Sequence, residues 1–126
     1  MIVKGTNHKF YSGDHVIYKH TAETTSTGNI FTLTPNLSGK LKVTATLTGK
    51  STATSKNATE LLVNNVLLLS VKDAHSLVTE TLNADIEVQA GTPIVFSCNA
   101  LGYKCNVKDI IISCDTLPTD AFVSVS

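Results

Sequence analysis

The side chains able to do chemistry are few, and their spacing does not join them into a site. Asp85 and Glu87 lie within Leu82 to Val88, where Leu82, Ala84, Ile86 and Val88 share one face, so both carboxylates project from the opposite face of an extended segment. Paired carboxylates serve glycoside hydrolysis or calcium binding when further groups join them. No His, Lys or third carboxylate accompanies this pair, which reads as surface charge that discourages edge-to-edge aggregation. His8, His15, His20 and His75 lack ligand spacing; His15 and His20 fall on opposite faces of a strand. Cys98, Cys105 and Cys114 form no Cys-x-x-Cys and read as core thiols, with a Cys98–Cys105 disulfide across a hairpin left open. Asp109, just before Ile110-Ile111-Ile112, is expected to cap a turn or to pair with Lys108 or Lys104. There is no Gly-x-Ser-x-Gly elbow, phosphate loop or His-Glu-x-x-His. The expectation is a protein that is not an enzyme and holds neither metal nor other cofactor.

Recognition chemistry is better represented. Trp is absent, and the aromatic set is four Phe and three Tyr. Phe31 and Phe96 fall on apolar faces and read as core. Tyr11, Tyr18 and Tyr103 are candidate ligand-binding residues, Tyr103 beside the turn at Leu101-Gly102, because sugar platforms need exposed rings. All ten basic residues are Lys, balanced by ten acids to a net charge of zero. Such a chain projects no field toward a polyanion and lacks the guanidinium fork that reads phosphates and bases, so nucleic acid is an improbable partner. Zero net charge also does little to keep copies apart, which leaves self-association open.

The elements that must position these residues are strands. The chain contains 18 Thr and 11 Ser; threonine suits half-exposed pleated faces better than helix interiors. Leu41, Val43, Ala45 and Leu47 alternate with Lys42, Thr44, Thr46 and Thr48 as in a strand with one wet face. Leu61 to Leu69, LLVNNVLLL, places two apolar runs around Asn64-Asn65, which predicts a central hairpin with a type I′ turn. His15–Thr21, Asn29–Pro35, a long piece through Val88 with a break near Asn83, Pro93–Ala100 and Lys104–Cys114 add further strands, the last central because of its continuous isoleucines. Residues 1–14 have turn composition and read as an entry arm. At 126 residues the chain is one domain, all-β, an antiparallel β-sandwich of jelly-roll type with roughly eight strands. Residues 1–38 form the N-terminal arm and first strands on the same domain, 39–114 the jelly-roll core and 115–126 a tail or edge strand. The amino terminus lacks the apolar core of a signal peptide and no apolar run is long enough for a membrane span, so a cytoplasmic origin is expected.

From Gly39 to Cys114 the succession GKLKVTATLTG, VNNVLL, DIEVQAGTPIVFSCNA and CNVKDIIISC resembles the small jelly-roll modules of tailed-bacteriophage and prophage structural proteins: tail fibres, baseplates, receptor-binding proteins and head appendages. The turns here are Asn64-Asn65 and Ala90-Gly91-Thr92-Pro93, where that family often has Asn-Gly and Ala-Gly-Asp. The resemblance implies a virion component assembled in the host cytoplasm. It would act through contacts with its own copies, as a trimer by analogy, and with other virion proteins, with adhesion to a cell-surface glycan as an added role. Two alternatives stand beside it: a lectin-like carbohydrate-binding module, and a trimeric jelly roll of the complement or tumour-necrosis signalling kind.

Overall fold

The computed structural model describes residues 9–116 and 123–126. These residues contain no helix and nine strands: β1 His15–His20, β2 Gly28–Pro35, β3 Gly39–Lys50, β4 Thr59–Val63, β5 Val66–Val71, β6 Val78–Val88, β7 Ile94–Ala100, β8 Tyr103–Cys114 and β9 Val123–Val125. The architecture grows outward from the turn between β4 and β5. Asn64 and Asn65 take φ of 51° and 64°, the left-handed pair that a type I′ turn requires and that asparagine tolerates. The Val95 amide donates to Asn64 Oδ1 at 2.9 Å, and the Asn64 amide donates to the Val95 carbonyl at 2.9 Å, tying the turn to β7.

Beyond the turn the two halves of the chain pair rung by rung, β4 with β5, β3 with β6, β2 with β7 and β1 with β8, all antiparallel. Successive pairs fall alternately into two sheets, of order β1-β8-β3-β6 and β5-β4-β7-β2-β9. One long hairpin wrapped across two facing sheets is the jelly roll expected from the alternation. The ninth strand comes from the tail, where Val123–Val125 pairs with the rim of β2 as an edge strand.

Between the sheets lie Leu41, Val43, Ala45 and Leu47 of β3, Phe31 and Leu33 of β2, Leu61 of β4, Phe96 of β7 and Val107, Ile110 and Ile112 of β8. Each fully buried aliphatic side chain contributes about 1.5–3 kcal/mol before chain entropy is counted. On the outer face of the first sheet, Thr46 and Thr48 share hydrogen bonds of 2.9 Å with Thr81 and Thr79, cross-strand pairs worth about 0.2–1 kcal/mol each.

Four expectations need correction. The strand through Asn83 is unbroken, because every residue from Gly39 to Gly49 finds a partner between Val88 and Val78. The alternation of His15–His20 is interrupted by a register shift between Val16 and Tyr18, so that Tyr18 and His20 lean on Phe31 while Val16 faces solvent. The entry arm is no loose turn region at Phe10, whose side chain is wholly buried. Its backbone bridges to β3 through Phe10 N–H to the Ser38 carbonyl (2.8 Å) and Lys40 N–H to the Phe10 carbonyl (2.9 Å). A Cβ on Gly39 would collide with that Phe10 carbonyl, and Gly39 sits at φ 133°, so only glycine lets the arm lie this close. Finally, Asp109 is neither a cap nor an ion-pair partner among the described residues: with φ 51° it is the extra residue of a bulge in β8, where the register against β3 shifts between Thr44 and Thr46.

The register separates two ends of the sandwich. At one end lie the tight connections around residues 36–38, 64–65 and 89–93, together with Phe10; at the other lie the longer connections 21–27, 51–58 and 72–77 and the tip at Leu101-Gly102. Connections that lengthen at one end of a rigid scaffold are where binding residues collect.

Candidate functional site

At the end with the longer connections, the outer face of the first sheet becomes a trough. Its floor is Thr48 of β3 and Asn106 of β8, which are direct register partners. One wall is the connection between β1 and β2, held down by the Thr24–Val107 bridge and by the Ala100 amide donating to Thr27 Oγ1 at 2.9 Å. Thr25, Ser26, Thr27, Thr48, Gly102, Lys104 and Asn106 line a depression of about 580 Å³. A second depression of about 410 Å³, lined by Lys50, Leu77, Tyr103 and Lys104, shares Lys104 with it. Gly102 is required at the tip, because a Cβ there would collide with the Lys50 carbonyl.

The chemistry of the trough is uneven along its length. The inner part offers hydroxyls and an amide. The outer part offers the Tyr103 ring, 60% exposed, and the Leu77 side chain, 48% exposed, between two lysines. Asn106 Oδ1 is covered and has no hydrogen-bond partner among the described residues, a deficit worth about 1–3 kcal/mol for a buried carbonyl. Lys104 holds φ 51° at a second bulge in β8, between the Thr48 and Lys50 rungs.

The three tyrosines singled out by the sequence are not gathered. Tyr103 stands in the trough. Tyr11 lies at the opposite end, held by Asp115 through backbone and carboxylate hydrogen bonds of 2.7 and 3.0 Å and covered by Lys9 Nζ at 5.2 Å, in a separate small depression with Lys40 and Glu87. Tyr18 is half-buried, its ring edge against Phe31 at 5.0 Å. Thr25, Ser26, Thr27, Lys50, Leu77, Lys104 and Asn106 were not candidates from sequence. The only cue to them was their place in polar connections and next to Tyr103.

The remaining reactive groups have structural surroundings. Glu87 faces Lys40 at 3.9 Å on the exposed surface and Asp85 accepts from Ser12 Oγ at 2.7 Å, so the two carboxylates are engaged separately. Asp73 accepts from the amides of His75 and Ser76, which hold its carboxyl below the usual carboxylate range. Cys98, Cys105 and Cys114 are free and buried; the Cys105 thiol donates to the Ala58 carbonyl at 3.2 Å. Burial, then the neighbouring Cys105 and Glu60, push the Cys98 thiol up to about 11. Asn57 donates to Glu60 at 2.7 Å, and Thr59 to the Thr48 carbonyl at 2.6 Å. No group of three or more His, Cys, Asp or Glu among the described residues is arranged to hold a metal ion. His8 lies outside the described residues.

No protein-family model matches the sequence, and no curated protein matches it. A solved structure of a family 35 carbohydrate binding module from an environmental isolate is similar at a TM-score of 0.42 and 19% identity, over 98% of this chain and 86% of that one.

Proposed function

We propose that this jelly roll is a carbohydrate-binding module whose site is the trough between the 21–27 connection and Tyr103. The observation that carries the reading is the exposed Tyr103 ring in a depression with Lys50, Leu77 and Lys104, which shares Lys104 with a second depression lined by Thr25, Ser26, Thr27, Thr48 and Asn106. A sugar presents an apolar C–H face and a periphery of hydroxyls, and a binding site for it combines an aromatic surface with a few convergent polar groups. The long connections supply the polar groups, and the β7–β8 tip supplies the ring. The test is affinity electrophoresis or a polysaccharide array with the purified protein and with Tyr103→Ala. Binding that is lost in the variant, with an unchanged circular dichroism melt, supports the reading. Equal binding by both proteins places the site elsewhere, and no binding to any polysaccharide refutes the function.

A second reading, a phage or prophage particle component that packs against its own copies, is favoured by the β5 edge. Strand β5 ends the five-stranded sheet and carries no charge, and Val66 and Leu67 are 67% and 48% exposed there. Edges that avoid self-pairing usually carry lysine or proline. Multi-angle light scattering decides it: a trimer or higher oligomer that dissociates on Leu67→Lys supports assembly through this edge, and a monomer at all concentrations removes it.

A further inference from the structure

We propose that the sugar this trough takes is an acidic one, its carboxylate or sulfate seated between Lys50 and Lys104 and its ring against Tyr103. The inference rests on the carbohydrate reading above and narrows its substrate class. Among the described residues neither depression has an aspartate or glutamate in its lining, and the outer one is half lysine: Lys50 and Lys104 line it with Leu77 and Tyr103. Neither lysine forms an ion pair among the described residues, in contrast to Lys40, which faces Glu87. The acid on the neighbouring 72–77 connection, Asp73, has its carboxylate turned to the amides of His75 and Ser76 and the hydroxyl of Ser76. Two lysines thus line one depression with Tyr103, and a bound anion balances their charge.

The backbone carries the second part of the argument. Lys104 sits at φ 51°, where glycine or asparagine would be cheaper, so its cation is held at the junction of the two depressions at a conformational cost. Two rungs inward, Asn106 and Thr48 form the floor, with Thr25, Ser26 and Thr27 beside them. A sugar whose anion meets Lys50 and Lys104 can extend a hydroxyl along the floor toward Asn106. The site thus asks for charge at its outer end, an apolar ring face in the middle and a hydroxyl at its inner end. Neutral glycans lack the first requirement, and anionic peptides lack the sugar ring face.

The experiment titrates the full chain with matched pairs: polygalacturonate against its methyl ester, dextran sulfate against dextran, and polyglutamate as an anion that is no sugar. Each is read by calorimetry at about 0.02 and about 0.5 M salt, across which the screening length contracts several-fold. The expected result is a preference of about tenfold or more for the acidic member of at least one pair, the size of two exposed ion pairs. High salt should erase that preference. The pair that shows it tells carboxylate from sulfate. Lys50→Gln combined with Lys104→Asn, the latter chosen because asparagine accepts the left-handed backbone, should remove the preference and leave the thermal melt unchanged. Equal affinity for charged and neutral members overturns the inference while leaving the carbohydrate reading intact. Polyglutamate binding as tightly as the acidic glycan also overturns it, since the ring would then play no part. Binding to none of the glycans refutes both.

Discussion

Replacing Phe10 by alanine tests whether the arm before β1 belongs to the core. The ring is wholly buried, and its residue is stitched to β3 by two backbone hydrogen bonds of 2.8 and 2.9 Å that alanine can still make. The loss is therefore that of a buried aromatic side chain and the cavity it leaves, about 3–5 kcal/mol for Phe→Ala in a packed core. For a domain of this size each kcal/mol lowers Tm by about 3–5 °C, so the transition should fall by about 10–20 °C. Urea unfolding followed by circular dichroism should show a lower midpoint at unchanged slope, because the same surface is exposed on unfolding. Phe10→Leu, which refills most of the volume, should recover more than half of the loss. If Phe10→Ala costs less than about 1 kcal/mol, the arm is dispensable packing and the burial argument fails.

Two further outcomes follow from single residues. Asn65→Gly should be neutral or stabilising by up to about 1 kcal/mol, because glycine takes the φ of 64° without strain, whereas Asn65→Val should lower the melting temperature by several degrees. The Cys98 thiol, raised from 9.0 to about 11 in the folded chain, keeps its proton where the unfolded chain has lost it, so stability should fall as pH rises from about 9 to about 11. Cys98→Ala should flatten that slope, and at neutral pH the native thiol should resist alkylation until the protein unfolds; rapid native labelling would contradict its burial.

Most of the fold was legible in the sequence, because one face of each strand is dry and the other wet. Leu41, Val43, Ala45 and Leu47 announce a strand by themselves, and Asn64-Asn65 between apolar runs announces the hairpin on which every other pairing is built. What the sequence concealed are places where periodicity changes. Phe10, set among polar turn-formers, has no alternating neighbours to mark it as buried. The run Ile110-Ile111-Ile112 marked β8 as central, which it is, but gave no sign that Ile110 and Ile112 lie inside while Ile111 is half-buried outside. The trough was hidden because its walls come from the 21–27 and 72–77 connections, distant in sequence, and a polar connection gives no sign of what it folds against.

The two bulges of β8 connect these concealed features to the site. Along this strand the inward residues are Cys105 and Val107, then Ile110, Ile112 and Cys114, so odd numbers face the core before Asp109 and even numbers after it. One extra residue reverses which side chains point inward. The same rule applied toward the tip would send Tyr103 into the core beside Cys105 and Val107. The bulge at Lys104 prevents this: two steps along β3, from Thr48 to Lys50, match three along β8, from Asn106 to Tyr103, so Tyr103 comes to share the outer face with Lys50. The strained residue is thus what turns the aromatic ring outward, and its own lysine side chain lines both the depression that holds that ring and the one beside it. A straight strand with this sequence would have a larger core at this end and no aromatic in its trough.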